Sequence, residues 1–196
     1  MKSDFFAYIS RMKYIARWSL MRSTVQENIQ EHSHMVAVLA HALGLVRRDV
    51  LGKPCDVEHL AAVALYHDAP EILTGDLPTP IKYHSASIKR AYDEVEDVAV
   101  EKLLSALPEA LRPAYRALFT APSRPEEYEL VKAADRLAAY IKCVEERKAG
   151  NLEFSSAEAS SRKKLEALGL PEVDYFLLYF IPAFELTLDE LGTIED

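Results

Sequence analysis

Two histidines, two aspartates and a glutamate break into apolar helical stripes along this chain of 196 residues. His32 extends by one turn a face made by Val36, Leu39 and Leu43. Leu60, Ala61 and Ala64 form a second face that runs on into His67, Asp68 and Glu71. Asp135 lies among Val131, Ala134, Ala138 and Ala139. Helical periodicity therefore predicts two imidazoles and two carboxylates pointing where water is scarce. A buried carboxylate costs free energy unless it is paired or bound to a cation. Two neutral imidazoles with two carboxylates make a mixed nitrogen and oxygen set that suits a divalent first-row metal. Taken singly, each residue has an ordinary structural explanation, a hydrogen-bonded core histidine or a salt-bridged aspartate. Their order along the chain, H…HD…D, is what points to a shared ion. The adjacent pair His67-Asp68 can reach one ion if it sits near a helix end, where the two side chains diverge.

The elements that must position these groups read as helical nearly throughout. Glycine is scarce, and no stretch alternates like a strand. A first helix is predicted over 3–16, a turn through Arg17 and Trp18, and irregular chain over 21–25. A second helix covers 29–46, with Asn28 as N-cap and Glu31 three residues on. Asp56 caps a third helix, which Pro70 disturbs and Gly75 follows. Because proline disfavours helix in the residue before it, a local kink is expected between Asp68 and Glu71. The segment GDLPTPIKY reads as a loop on its glycine and two prolines. A long helix over 86–106 follows, then a short helical piece flanked by Pro108 and Pro113. Ser123 is expected to cap a helix that stops at Gly150-Asn151, and an aromatic-rich last helix spans 171–184.

The length suits one domain with an adequate core of its own, here 1–196, with the core motifs at about 17–140 and a helical segment at about 150–196. A net charge of -8 argues against a nucleic acid polymer as partner, while leaving room for a small phosphorylated ligand. No apolar run approaches the roughly 20 residues that cross a bilayer. The start MKSDFFAYISRMK lacks a signal-peptide core, so a cytoplasmic protein is expected, without a membrane partner. The two cysteines, Cys55 and Cys143, are too few for a disulfide framework or a zinc cage.

The H…HD…D order resembles the HD superfamily of metal-dependent phosphohydrolases, an all-α helical bundle. The segments FFAYISRMKYIARWSLMR, ENIQEHSHMVAVLAHAL, LYHDAPEILTGDLPTPIKY, LVKAADRLAAYIKCVEE and DYFLLYFIPAFELTLDEL are similar to successive blocks of the bacterial YfbR-type 5′-deoxynucleotidases. The bare HD pair is weakly specific, whereas RW ahead of EHS and then HDAxExLTGDLPTPxK is highly specific. The resemblance implies one divalent cation held by His32, His67, Asp68 and Asp135, with cobalt or manganese effective in the test tube. It implies hydrolysis of deoxyribonucleoside 5′-monophosphates, small-molecule substrates, and a homodimer. Arg17 would orient the phosphate, and guanidinium suits that task because it holds two oxygens at once. Trp18 would pack against the sugar near C2′ and crowd a ribose hydroxyl. Glu71 would be the catalytic glutamate, and Asp76, Leu77, Pro78 and Thr79 the substrate loop, with Lys82 adding positive potential. His32, Asp68 and Asp135 would face substrate as well as metal, and Asp68 would share in catalysis with Arg17 and Glu71.

Two other readings compete. Another HD enzyme would act on nucleoside triphosphates or guanosine tetraphosphate, but the chain is short for the first and lacks the added domains of the second. A second metal would need further histidines, and none follows His84. A catalytically silent helical binding module would keep the fold, yet all four ligand positions and Glu71 are filled. Tyr175, Phe176, Tyr179 and Phe180 suit either an interface or core packing.

Overall fold

Asn28 starts the helix on which the rest assembles. In the computed structural model, which describes residues 2–119 and 125–192, its backbone is extended and its Oδ1 accepts from the amides of Gln30 and Glu31, both at 3.0 Å. Glu31 reaches back to the Asn28 amide at 3.3 Å, which completes the expected capping box. Counting from the N-terminus, α1 is Phe5–Ile9 and α2, the helix that Asn28 caps, is Ile29–Leu45. A wide turn at Val46–Val50 ends α2, and α3 (Val57–Tyr66) follows under its Asp56 cap. After α4 (Glu71–Thr74) and α5 (Thr79–Lys82) come α6 (Ala86–Ser105), α7 (Arg112–Phe119), α8 (Pro125–Lys148), α9 (Ser155–Glu166) and α10 (Pro171–Tyr179). The result is an all-α bundle, and no strand occurs among the described residues.

Helix α2 packs chiefly against α3 and α8. The close approach to α3 depends on Gly44, where an added Cβ would lie 3.2 Å from Leu60 and 3.3 Å from Val57. Val36, Leu39, Leu43, Leu60, Val131, Ala134 and Ala138 all lie in this core, as the apolar stripes predicted. A second cluster gathers Phe5, Met12, Ile29, Ala69, Val100, Leu103 and Leu104, and so ties the N-terminal segment to α6. No described helix is long and apolar enough to cross a membrane.

Several elements differ from expectation. The first helix is not continuous over 3–16: α1 ends at Ile9, and a single 3-10 turn covers Met12–Tyr14. No side chain caps either piece, and the chain must turn outward before Arg17. GDLPTPIKY is not all loop, since Thr79–Lys82 closes one helical turn, with Pro80 in the first turn where its missing N–H costs nothing. The last helix ends at Tyr179, short of 184, and the chain continues as a 3-10 turn, Ile181–Glu185, with Pro182 early in it, where it has no N–H to extend the α-helical ladder. The Ser123 cap lies outside the described residues. Helix α9 falls within the helical segment expected at about 150–196 but is not set apart there as a helix of its own, because its face is weakly apolar and only Leu165 is buried.

A buried carboxylate fastens the irregular 21–25 stretch to α8. Glu146, 1 % exposed, accepts from Lys142 Nζ at 2.5 Å, from the Thr24 amide and hydroxyl at 2.8 Å, and from Asn151 Nδ2 at 2.9 Å. Lys142 Nζ also donates to the Val25 carbonyl at 2.6 Å. Burial would push the Glu146 carboxyl up, but the Lys142 bond and the Thr24 and Asn151 donors outweigh it and hold it well below its ordinary 4.5. A depressed folded-state value contributes stability that is complete above 4.5 and lost as pH falls below it. Glu146→Ala is therefore expected to cost about 3–5 kcal/mol at pH 7. Its deficit in melting temperature against the parent should shrink on acidification through the ordinary glutamate range; an equal deficit at both ends would refute the ionic account.

Candidate active site

Each functional side chain comes from the end of an element or the face of a buried one. His32 sits in the first turn of α2 and is fully buried. His67 and Asp68 occupy the turn between the end of α3 and Pro70, where the tips of these adjacent side chains meet. Asp135 projects from the middle of α8. Arg17 and Trp18 come from the segment ahead of α2, and Glu71 opens α4.

These groups converge. His32 Nε2 lies 2.9 Å from Asp135 Oδ1 and 3.6 Å from Asp68 Oδ2. His67 Nε2 is 3.2 Å from Asp68 Oδ1. Ligand atoms of His32, His67 and Asp135 all lie within 4.8 Å of one another, and Asp68 touches both histidines. Arg17 donates from a terminal nitrogen to Asp68 Oδ2 at 3.1 Å. One expectation needs correction: Asp135 does not point into a dry interior, since its side chain is 42 % exposed. Val131, Ala134 and Ala138 around it are buried, so Asp135 stands at the exposed edge of the α8 stripe.

The donor set fits a divalent cation. His67 Nδ1 donates to the Ala64 carbonyl at 2.7 Å, which can only accept. Nε2 then faces the carboxylate Oδ1 of Asp68, and a cation at that nitrogen, a proton or a metal ion, is what makes the contact favourable. Nε2 is buried and has no hydrogen-bond partner. Two electron-rich atoms at that distance call for a cation between or beside them, and the carbonyl that fixes the tautomer is the usual outer partner of a metal-bound imidazole. Nitrogen and oxygen donors together accept several first-row ions.

Electrostatics around the cluster follow from burial and pairing. Burial and the Arg17 charge would lower the His32 imidazole, yet the facing carboxylates of Asp135 and Glu27 prevail and raise it to about 9. Burial would raise Asp68, but His67, His32 and Arg17 hold it far below the usual carboxylate range. Glu71 goes the other way. It is 6 % exposed, its Oε2 has no partner, and burial followed by repulsion from Asp68 and Asp76 pushes it well above its usual range. Asp76 is raised by burial, against the pull of Arg17 and with the push of Asp68. Its neighbours Leu77 and Pro78 are half-buried, and Thr79 opens α5 with its side chain outside what is described. Lys82 does not reach into the cluster; it bonds Glu96 at 2.9 Å and lies 4.4 Å from the centre of the Tyr92 ring.

Trp18 is near the cluster by way of a residue that periodicity did not single out. Its Nε1 donates to Glu27 Oε2 at 2.8 Å, and Glu27 also faces Arg17 and His32. Glu27 stands just before the N-cap, in no apolar stripe, so its only sequence signal was a place beside a predicted helix start.

Comparison with known proteins bears on the family and the fold. Residues 4–184 match the family described as 5′-deoxynucleotidase YfbR-like. A 5′-deoxynucleotidase of Pectobacterium atrosepticum is 47% identical over 192 residues, which cover 97% of this chain and 96% of that protein. An HD-domain phosphohydrolase from Listeria innocua superposes with a TM-score of 0.80 at 25% identity, over 92% of this chain and 88% of that one. The HD phosphohydrolase of cyanophage S-2L, solved with dA and one catalytic zinc ion, gives a TM-score of 0.67 at 23% identity over 92% of this chain and 96% of its own, a likeness of fold.

A divalent cation that binds the folded cluster and not the unfolded chain must raise stability. At about 100 times its dissociation constant the gain is about 2.7 kcal/mol, read as a higher melting temperature that EDTA reverses. His67→Ala should abolish most of that shift. A melting temperature indifferent to manganese, cobalt and zinc alike would show that the four groups hold no metal.

Proposed function

The chain belongs to the YfbR-like 5′-deoxynucleotidase family, and from that premise we infer that it hydrolyses deoxyribonucleoside 5′-monophosphates to deoxynucleoside and inorganic phosphate at the cluster just described. The observation that carries this reading to these residues is the convergence of His32, His67 and Asp135 ligand atoms within 4.8 Å of one another, with Asp68 and Arg17 closing around the same point.

His32, His67, Asp68 and Asp135 hold the divalent cation in this reading. When bound, that ion supplies charge that polarises a phosphate oxygen and acidifies a water. Phosphate monoesters react extremely slowly unaided, so transition-state charge must be met by groups already in place. Arg17 is so placed: Asp68 holds one terminal nitrogen, its side chain is largely shielded from water, and the remaining donors can take phosphate oxygens two at a time. Glu71, protonated in its buried setting, is suited to deliver a proton to the departing 5′-oxygen. Asp76 and the turn through Leu77, Pro78 and Thr79 line the substrate side. Trp18 stands where a 2′-hydroxyl would find an indole edge and no partner, which favours deoxyribose. Cobalt and manganese are the ions expected to support turnover, in a cytoplasmic homodimer. Tyr179 and Phe180, 62 % and 44 % exposed at the end of α10, support such an interface, whereas Phe176 is spent in the core.

The test is phosphate release from a panel of deoxyribonucleoside and ribonucleoside 5′-monophosphates, with manganese or cobalt and with EDTA. Release from dAMP that needs metal and disappears in Asp68→Ala is expected, and Trp18→Ala should accept AMP better than the parent. No metal-dependent release from any deoxynucleotide would overturn the reading.

Glu71→Gln separates the proton from the fold. Its kcat should fall by roughly 10²–10⁴, the usual worth of a positioned acid or base. The protonated form is the active one and ionises as pH rises, so the parent should lose activity on the alkaline side of the profile. The variant should lack that limb; an unchanged limb would assign the proton to another group.

A further inference from the structure

Trp18 has a backbone φ of 58°, in the left-handed region, and is the one non-glycine residue with positive φ among those described. For a bulky side chain that conformation costs about 1–3 kcal/mol and persists only where surroundings enforce it. The enforcement comes from the chain just before α2. The Arg17 amide donates to the Glu27 carbonyl at 2.9 Å, and the Ile29 amide to the Ile15 carbonyl at 3.0 Å, so that Ala16 and Asn28 form an antiparallel bridge. Beyond this clasp, the Glu27 side chain takes hold of three functional residues. Its Oε2 accepts from the indole of Trp18 at 2.8 Å and stands 3.5 Å from Arg17 Nε. Its Oε1 stands 3.7 Å from His32 Nδ1.

The last contact matters because of how His32 is oriented. Its Nε2 faces Asp135 and Asp68, so Nδ1 points away from the cluster. Nδ1 is fully buried and has no hydrogen-bond partner. Glu27 Oε1 is the acceptor aimed at it. The relation of carboxylate, imidazole and metal is a common outer support of a metal site, and losing it typically costs metal affinity. We propose that Glu27 is a positioning residue whose two carboxylate oxygens join the indole of Trp18 to the imidazole of His32, so that deoxyribose selection and metal affinity are held by one side chain. The proposal rests on the reading of His32 as a metal ligand and Trp18 as the residue beside the sugar.

Only a carboxylate can serve both sides. A glutamine keeps one oxygen, which can still accept from the indole. Its other atom is an NH₂ donor, which would meet the N–H of His32 donor to donor. Glu27→Gln therefore separates the two roles, and Glu27→Ala removes both. Three measurements read them: manganese affinity by calorimetry, the ratio of kcat/KM for dAMP over AMP, and fluorescence of Trp18, the single tryptophan of the chain. Glu27→Gln should weaken manganese binding by roughly 10–100-fold while leaving the emission and the dAMP preference near those of the parent. Glu27→Ala should weaken the metal similarly, shift the emission and move the preference toward one. Manganese affinity unchanged in Glu27→Gln, or emission and preference unchanged in Glu27→Ala, would overturn the proposal. If Glu27→Ala does not fold, the calorimetry of Glu27→Gln decides alone. A parent that shows no preference for dAMP would refute the functional reading instead, and metal affinity and emission would still judge Glu27.

Discussion

Carboxylates and imidazoles do not share a cleft this closely unless positive charge stands among them. Asp68, Asp135 and Glu27 all approach His32, and Asp68 also faces the unpaired nitrogen of His67. Arg17 compensates part of this charge from one side, and a proton on His32 compensates another part. Neither answers His67 Nε2, whose other nitrogen is committed to a carbonyl. A divalent cation would resolve the arrangement at once, by binding at His67 Nε2 and balancing the charge of both aspartates. The same field explains why neighbouring carboxyls behave oppositely: Asp68, inside the ring of cations, stays ionised, while Glu71, outside it and buried, is driven toward its neutral form.

The helices make this charge arrangement rigid. Asn28 fixes the first turn of α2 and with it His32, one turn along. Pro70 ends α3 early, which frees His67 and Asp68 from helical spacing so that both can face one point. The strained Arg17–Trp18 turn is clasped to the chain that leads into α2, and Glu146 fastens the following stretch to α8, the helix that carries Asp135. Strain at Trp18 is thus opposed from both directions along the chain, as a strained conformation needs if it is to persist.

Much of this was legible from periodicity. His32, His67, Asp68 and Asp135 stood out because each breaks an apolar stripe, and the stripes are real: Val36, Leu43, Leu60 and Ala134 are buried to 1 % exposure or less. Caps at Asn28 and Asp56 were readable because their partners lie within the next three residues. Long-range polar partners were not. Glu27 and Glu146 act largely on residues that the fold brings near, up to 122 positions away in sequence. Short elements were misjudged for a related reason. Four residues of α5 carry too little pattern to outweigh two prolines, and α9 buries a single leucine.

Exposure of the four clustered groups has a direction. His32 is fully buried, His67 and Asp68 are 13 % and 15 % exposed, and Asp135 is 42 % exposed. A ligand arriving from solvent therefore meets the Asp135 side first and the His32 side last. The guanidinium of Arg17, held by Asp68, lies at intermediate depth, 14 % exposed. In the proposed reading a phosphate at Arg17 would sit at that depth, and the rest of the substrate would lie toward the more exposed Asp135 side. A group held at that depth feels fixed charges more strongly than one in open solvent, which is where transition-state charge is best met.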